Sequence, residues 1–249
     1  MKQVFAVIIF IGLSYSGIAQ DSLLVKANAH YTEGEFSKAI ELYESILNSQ
    51  MVSTEVYYNL GNSLYKLNNY TQSIINYERA LLLSPDDDDV KFNLQLANQH
   101  IQDAINPLPK MFLVRWWENL SNIFSVDEWG KISIAGFILV LIFVAIFIFT
   151  RSIAIKKATF WSGILLIIIT FLSYNFASQQ EERLANPRYA IIIQPSITVK
   201  SSPSEGGTDL FLIHEGLKVE IKDRLGSWIE IRLADGNQGW LPESSIEKI

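Results

Sequence analysis

Four consecutive aspartates, Asp86–Asp89, and three histidines, His30, His100 and His214, are the residues of this chain best suited to hold a metal or move a proton. A calcium loop needs oxygen ligands spaced along a turn, with a glycine inside it and a distal glutamate. The aspartate run has neither. Carboxylates at a predicted helix start instead cap free N–H groups and sit at the positive end of the helix dipole. The histidines are scattered, without metal-ligand spacing to one another or to other candidates. Cysteine is absent, which removes disulfides, zinc fingers and thiol catalysis. Glu205-Gly206-Gly207 is followed by no Lys-Ser/Thr pair, and no serine sits in a nucleophile elbow. The expectation is a protein that is not an enzyme and has no metal and no cofactor.

The remaining chemistry is recognition, and a repeat organises it. Ala27, Phe36, Ala39, Ile40, Tyr43 and Leu47 are each followed 34 positions later by a matched residue: Gly61, Tyr70, Ser73, Ile74, Tyr77 and Leu81. Two helices per unit, with small residues where they cross and aromatics between, is the tetratricopeptide (TPR) pattern. Asn59-Leu60-Gly61-Asn62-Ser63-Leu64-Tyr65, followed by Tyr70, Ala80 and Pro85, resembles that family. Helices are predicted at Ser22–Glu33, Phe36–Asn48, Thr54–Lys66 and Tyr70–Ser84, and then as one helix from Val90 to about Ile105, before Pro107 and Pro109. This makes a solenoid over 20–105, with repeats 20–53 and 54–87 and a half repeat 88–105 that should cover the apolar face of the second repeat. Fewer than three repeats should be marginal without a partner.

The resemblance implies a groove lined by the first helix of each repeat. Matched residue by residue, it comprises Asn28, Tyr31 and Thr32, then Tyr58, Asn59, Asn62 and Tyr65, then Phe92 and Asn93. The asparagines resemble those with which peptide-clamping TPRs hold a ligand backbone, and they have no evident packing use. Leu24, Tyr58 and Phe92 occupy a position where such clamps carry lysine for a terminal carboxylate. The expected ligand is therefore an internal extended segment or a helix of a partner protein.

Three apolar stretches give the membrane reading. Residues 1–19 carry one lysine, an apolar run from Val4 to Leu13, and Gly17-Ile18-Ala19 before Gln20, a pattern signal peptidase accepts. Ile132–Thr150 and Phe160–Ala177 are free of charge over 19 and 18 residues, enough to span a bilayer. Between them Arg151, Lys156 and Lys157, with no acid, mark a cytoplasmic loop and place both flanks outside. Residues 110–124 set Phe112, Leu113, Trp116, Trp117 and Leu120 on one helical face, as in an amphipathic helix lying in membrane lipid. Ser125 and Glu128 form a capping box at the start of the first span.

From residue 189 to 249 the pattern alternates. Ile229, Ile231 and Leu233 interleave with Glu230 and Arg232, and Asp235-Gly236 marks a tight hairpin before Gly239-Trp240-Leu241. Ile197–Pro203, Glu215-Gly216 and Gly226–Ile231 resemble a bacterial SH3-like (SH3b) domain, a small all-β barrel. Trp228 and Trp240 suit a ligand groove there, although in small barrels such residues more often complete the core. The net charge of −6, with no basic stripe, gives no nucleic-acid partner.

The order of modules resembles the BatE family of the Bacteroidetes aerotolerance operon. That resemblance implies a multi-domain inner-membrane protein facing the periplasm. Its partners would be von Willebrand A-type membrane proteins and a MoxR-type ATPase, in a complex tied to oxygen or stress tolerance. The competing reading is a cell-wall sensor whose SH3-like domain holds peptidoglycan.

Overall fold

The computed structural model describes residues 23–249. The expected signal peptide lies outside the described residues. The chain divides into two compact units. One contains the chain up to Leu81, Asp87–Leu108 and Arg188–Ile249; the other contains Leu82–Asp86 and Pro109–Pro187.

The first unit opens with helix α1, residues 23–32, then α2 (Phe36–Asn48), α3 (Thr54–Lys66), α4 (Tyr70–Leu83) and α5 (Asp88–Asn98). The α1–α2 turn passes through Gly34 at φ +79°, and the α3–α4 turn through Asn68 at φ +61°. Asn68 stands one repeat after Gly34, and asparagine tolerates the left-handed conformation better than most residues. Gly61 lies against the Tyr77 ring, where a Cβ would fall 2.6 Å from a ring carbon, so α3 and α4 close tightly. Ser53 caps α3, and Asp87 caps α5 through the N–H groups of Asp89 and Val90. Helix capping is thus the visible use of the aspartate run.

The β part of this unit consists of β1 (Tyr189–Ile192), β2 (Ser196–Lys200), β3 (Asp209–His214), β4 (Lys218–Leu225), β5 (Trp228–Arg232), β6 (Gln238–Pro242) and β7 (Ile246–Lys248). All pairings are antiparallel, in the order β3-β2-β6-β5-β4-β1-β7. The hairpin at Asp235-Gly236 pairs Arg232 with Gln238 and has Gly236 at φ +96°. Val199, Val219, Ile229, Ile231 and Leu241 share one buried core, which is what the alternation along the strands requires. The expected closed barrel is corrected: the sheet runs open from β3 to β7.

Both edge strands are contacted by residues encoded before the apolar helices. On the β7 side, Arg79 of α4 pairs with Glu247 at 2.9 Å and Gln72 donates to the same carboxylate at 3.2 Å. At β3, the backbone N–H of His214 donates to Asp103 at 2.6 Å and its ring Nδ1 lies 2.9 Å from the other carboxylate oxygen. Beneath these contacts Ile191 and Ile249 join Ile74, Ile75, Tyr77, Ala80, Val90 and Ala97 in one apolar cluster. The sheet therefore covers the apolar side that the half repeat, lacking a second helix, leaves open. Burial of each large aliphatic side chain there is worth roughly 1.5–3 kcal/mol.

This packing also corrects α5, which ends at Asn98 rather than near Ile105. Beyond it, Ile101 fits against Gly216, Ile105 packs on the sheet core, and the Leu108 N–H donates to Ala234 at 2.9 Å. These contacts draw the segment out of helical geometry.

The second unit holds α6 (Phe112–Ser121), α7 (Val126–Phe149) and α8 (Ile153–Ala185). The capping box at Ser125 and Glu128 is formed. Both α7 and α8 are long and apolar enough to cross a membrane. The expected loop 151–159 shortens to the stretch between Phe149 and Ile153, and Lys156 and Lys157 fall within the beginning of α8. The Lys156 ammonium lies over the Phe147 ring, 5.6 Å from its centre, within cation–π range. Gly136 meets Thr170 where α7 and α8 cross. At one end of the pair, Gln180 donates to the Ser121 carbonyl at 2.6 Å and to the Phe124 carbonyl at 3.0 Å, tying α6 to α8. Phe112, Leu113 and Trp116 of α6 remain exposed.

Candidate functional site

The asparagines of the first helices form a ladder with the repeat period. Asn28 Oδ1 accepts from the Tyr43 hydroxyl at 2.6 Å and from Asn59 Nδ2 at 3.1 Å. One repeat later, Asn62 Oδ1 accepts from the Tyr77 hydroxyl at 2.7 Å and from Asn93 Nδ2 at 2.9 Å. Each oxygen joins both helices of its own repeat to the next unit. The expectation that these amides have no internal use is therefore corrected. Tyr43 and Tyr77, placed in the repeat but given no role there, are the missing partners. The recurrence of Asn, then Tyr 15 residues on, in both repeats was the available signal.

Both phenols are held in their neutral form. Burial chiefly, with Tyr31 and Glu55 adding to it, pushes Tyr43 up to about 12, and burial likewise raises Tyr77 well above its ordinary value. The aromatic geometry repeats as well. Tyr31 meets Phe36 edge-on at 5.5 Å between ring centres, and Tyr65 meets Tyr70 at 5.4 Å.

Beside the ladder lies a concavity of about 220 Å³. Tyr31, Tyr58, Asn62, Tyr65 and Asn93 of the expected groove line it, together with Tyr77, Lys66 and Leu96. Asn28 and Asn59 are not among its lining residues; they are joined to each other in the first rung of the ladder. Phe92, by contrast, is exposed.

Trp228 and Trp240 are placed together on the sheet but outside its core. They stand on adjacent strands, where Trp228 pairs with Pro242 and Trp240 with Glu230, on the face opposite Ile229, Ile231 and Leu241. Both are half-buried, and neither belongs to the buried core cluster of the sheet. On the same face Arg232 Nε donates to Glu220 at 2.9 Å. Burial pushes the Glu220 carboxyl up, but the bonds from Arg232 and Lys222 outweigh it and hold it below the ordinary range.

The histidines are separated. His100 stacks on Tyr70 with ring centres 3.8 Å apart, His214 is paired with Asp103, and His30 lies beside Glu33 and Glu35. That last trio corrects the reading of His30 as lacking spaced partners. Lys38, however, reaches both Glu35 oxygens at 2.9 Å, and its bond chiefly, with that of His30, holds the Glu35 carboxyl below its usual range. The trio is thus a hydrogen-bonded polar cluster at the α1–α2 turn, engaged by Lys38.

Residues 54–87, comprising α3, α4 and the turns around them, match the family model of the tetratricopeptide repeat. A comparison with curated proteins finds no match. The chain thus carries a TPR, a repeat that typically serves as a non-catalytic protein-binding module, together with an antiparallel sheet and two helices of membrane-spanning length.

Proposed function

We propose that this chain is a non-enzymatic, membrane-anchored scaffold that binds a protein partner in the groove of its repeats. The supporting observation is the make-up of the first unit: repeats that precede the two apolar helices and a sheet that follows them pack as one body. A chain that leaves that body through one apolar helix and returns through the next crosses the membrane twice, with both flanks on one side. At 24 and 33 residues the helices reach about 36 and 50 Å, more than a hydrocarbon core of about 30 Å. Arg151, Lys156 and Lys157 at the far turn favour its cytoplasmic placement, so the repeats and sheet face the periplasm across the inner membrane. The exposed apolar side of α6 then rests in lipid. Within this reading, the BatE-like order of modules points to von Willebrand A-type Bat proteins as partners, in oxygen or stress tolerance.

Because the chain has no cysteine, single thiols report its topology. In spheroplasts, a membrane-impermeant thiol reagent should label Leu210→Cys and spare Ala154→Cys. The reverse pattern would overturn the topology.

The outward Trp228, Trp240 and Pro242 favour a second reading, peptidoglycan binding by the SH3-like sheet. Co-sedimentation of the full chain with purified peptidoglycan, abolished by Trp240→Ala, is its expected outcome. Sedimentation unaffected by that change would remove this face from consideration.

A further inference from the structure

We propose that the tyrosine pocket of the groove takes the side-chain carboxylate of an internal glutamate or aspartate of the partner. This rests on the groove being the partner-binding face and specifies the chemistry recognised there.

The ladder consumes acceptors and leaves donors. Asn62 Oδ1 already accepts from Tyr77 and Asn93, which uses both of its lone pairs. Asn62 Nδ2 has no acceptor among the described residues. The Tyr58 oxygen accepts from Asn93 Nδ2 at 2.9 Å, which leaves the Tyr58 proton to donate elsewhere. The Tyr31 hydroxyl has no hydrogen-bond partner among the described residues. Burial first, and then Tyr58, raises the Tyr31 phenol above its ordinary value, so it keeps its proton. Lys66, exposed at the end of α3, adds an ammonium with no acidic partner among the described residues.

Against these donors the pocket lining sets one uncommitted amide oxygen, Asn93 Oδ1, and no aspartate or glutamate. A carboxylate accepts on two oxygens along about four lone-pair directions and donates nothing, which matches this imbalance. A lysine or arginine of the partner would find tyrosine faces and phenol oxygens, but only one uncommitted amide oxygen, no carboxylate, and a like charge in Lys66. A volume of about 220 Å³ holds one side chain with a few waters. One cationic residue in an otherwise neutral lining suits the single charge of an internal side chain.

Two variants separate recognition from folding. Asn62→Asp keeps the oxygen that Tyr77 and Asn93 need, removes the N–H donors and adds a like charge. Lys66→Gln removes the ammonium and leaves the ladder untouched. The full chain in detergent is immobilised and exposed to two pools of end-capped peptides, random except for a central glutamate in one and a central glutamine in the other. The glutamate pool should be retained about tenfold more, the ratio given by one charge-assisted hydrogen bond. That preference should weaken with salt and vanish in both variants. Equal retention, a glutamine preference, or a glutamate preference that survives both variants would overturn the carboxylate proposal and leave the groove reading intact. Retention of neither pool would overturn the groove reading and this proposal with it.

Discussion

An asparagine oxygen accepting from a tyrosine of its own repeat and an asparagine of the next is a stringent arrangement, because its loss strands a buried hydroxyl and loosens the next unit. Asn62→Ala leaves the hydroxyl of the buried Tyr77 without its acceptor and the Asn93 amide with Tyr58 alone. An unsatisfied buried donor costs about 1–3 kcal/mol. Asn62→Asp retains the acceptor and should cost clearly less. Thermal unfolding followed by circular dichroism should therefore rank wild type above Asn62→Asp and Asn62→Ala lowest. Adding Tyr77→Phe to Asn62→Ala should recover part of the loss, since removing both partners is cheaper than removing one. Equal melting of the Ala and Asp variants would mean that the oxygen does not bear on stability. The same residues limit what a binding mutant can show: a weakened groove in Asn28→Ala or Asn62→Ala would report the ladder as much as the ligand.

At the scale of elements, legibility in the sequence followed the range of the interactions that decide each feature. The bounds of α2 and α3 follow from a period of 34 visible along the chain, and the structure adds only local features, a cap at Ser53 and a left-handed turn at Gly34. The capping box of α7 and the hairpin at Asp235-Gly236 are equally local. The end of α5 depends instead on Asp103 meeting His214, 111 residues away, and on Ile101 and Ile105 finding the sheet. The contacts of the sheet edges are likewise long-range, since α4 and the segment after α5, both encoded before the apolar helices, supply them. The start of α8 escaped for another reason. Lysines at the beginning of a helix read as a charged loop in hydropathy, although lysine is a good helix former. Of the residues expected in the groove, Tyr31, Tyr58, Asn62, Tyr65 and Asn93 line one concavity, whereas Asn28 and Asn59 do not. The direction of each amide, which decides what remains for a ligand, came only with Tyr43 and Tyr77 in place.

At the scale of the whole molecule, the consequence is that the repeats and the sheet stand or fall together. Two and a half repeats leave an apolar side on α4 and α5, and Ile191 and Ile249 cover it from the sheet. The polar border of that contact can be tested without disturbing its apolar centre. Arg79 and Glu247 pair at 2.9 Å with side chains 28% and 31% exposed, so they are partly screened, and their coupling should be about 1 kcal/mol. Arg79→Glu and Glu247→Arg should each lower the midpoint of thermal unfolding by setting like charges together. The double exchange should recover much of that loss, because the pair is restored in reverse. Recovery will be incomplete, since Gln72 donates to Glu247 and Arg79 also reaches the Lys248 carbonyl, contacts the reversed pair does not reproduce. If helix loss and the near-ultraviolet signal of the sheet tryptophans move together in all three variants, the two parts unfold as one cooperative body. Additive losses in the double variant, with the two signals melting apart, would mean that the repeats are stable without the sheet, and the argument from a shared body to a shared side of the membrane would fail with it.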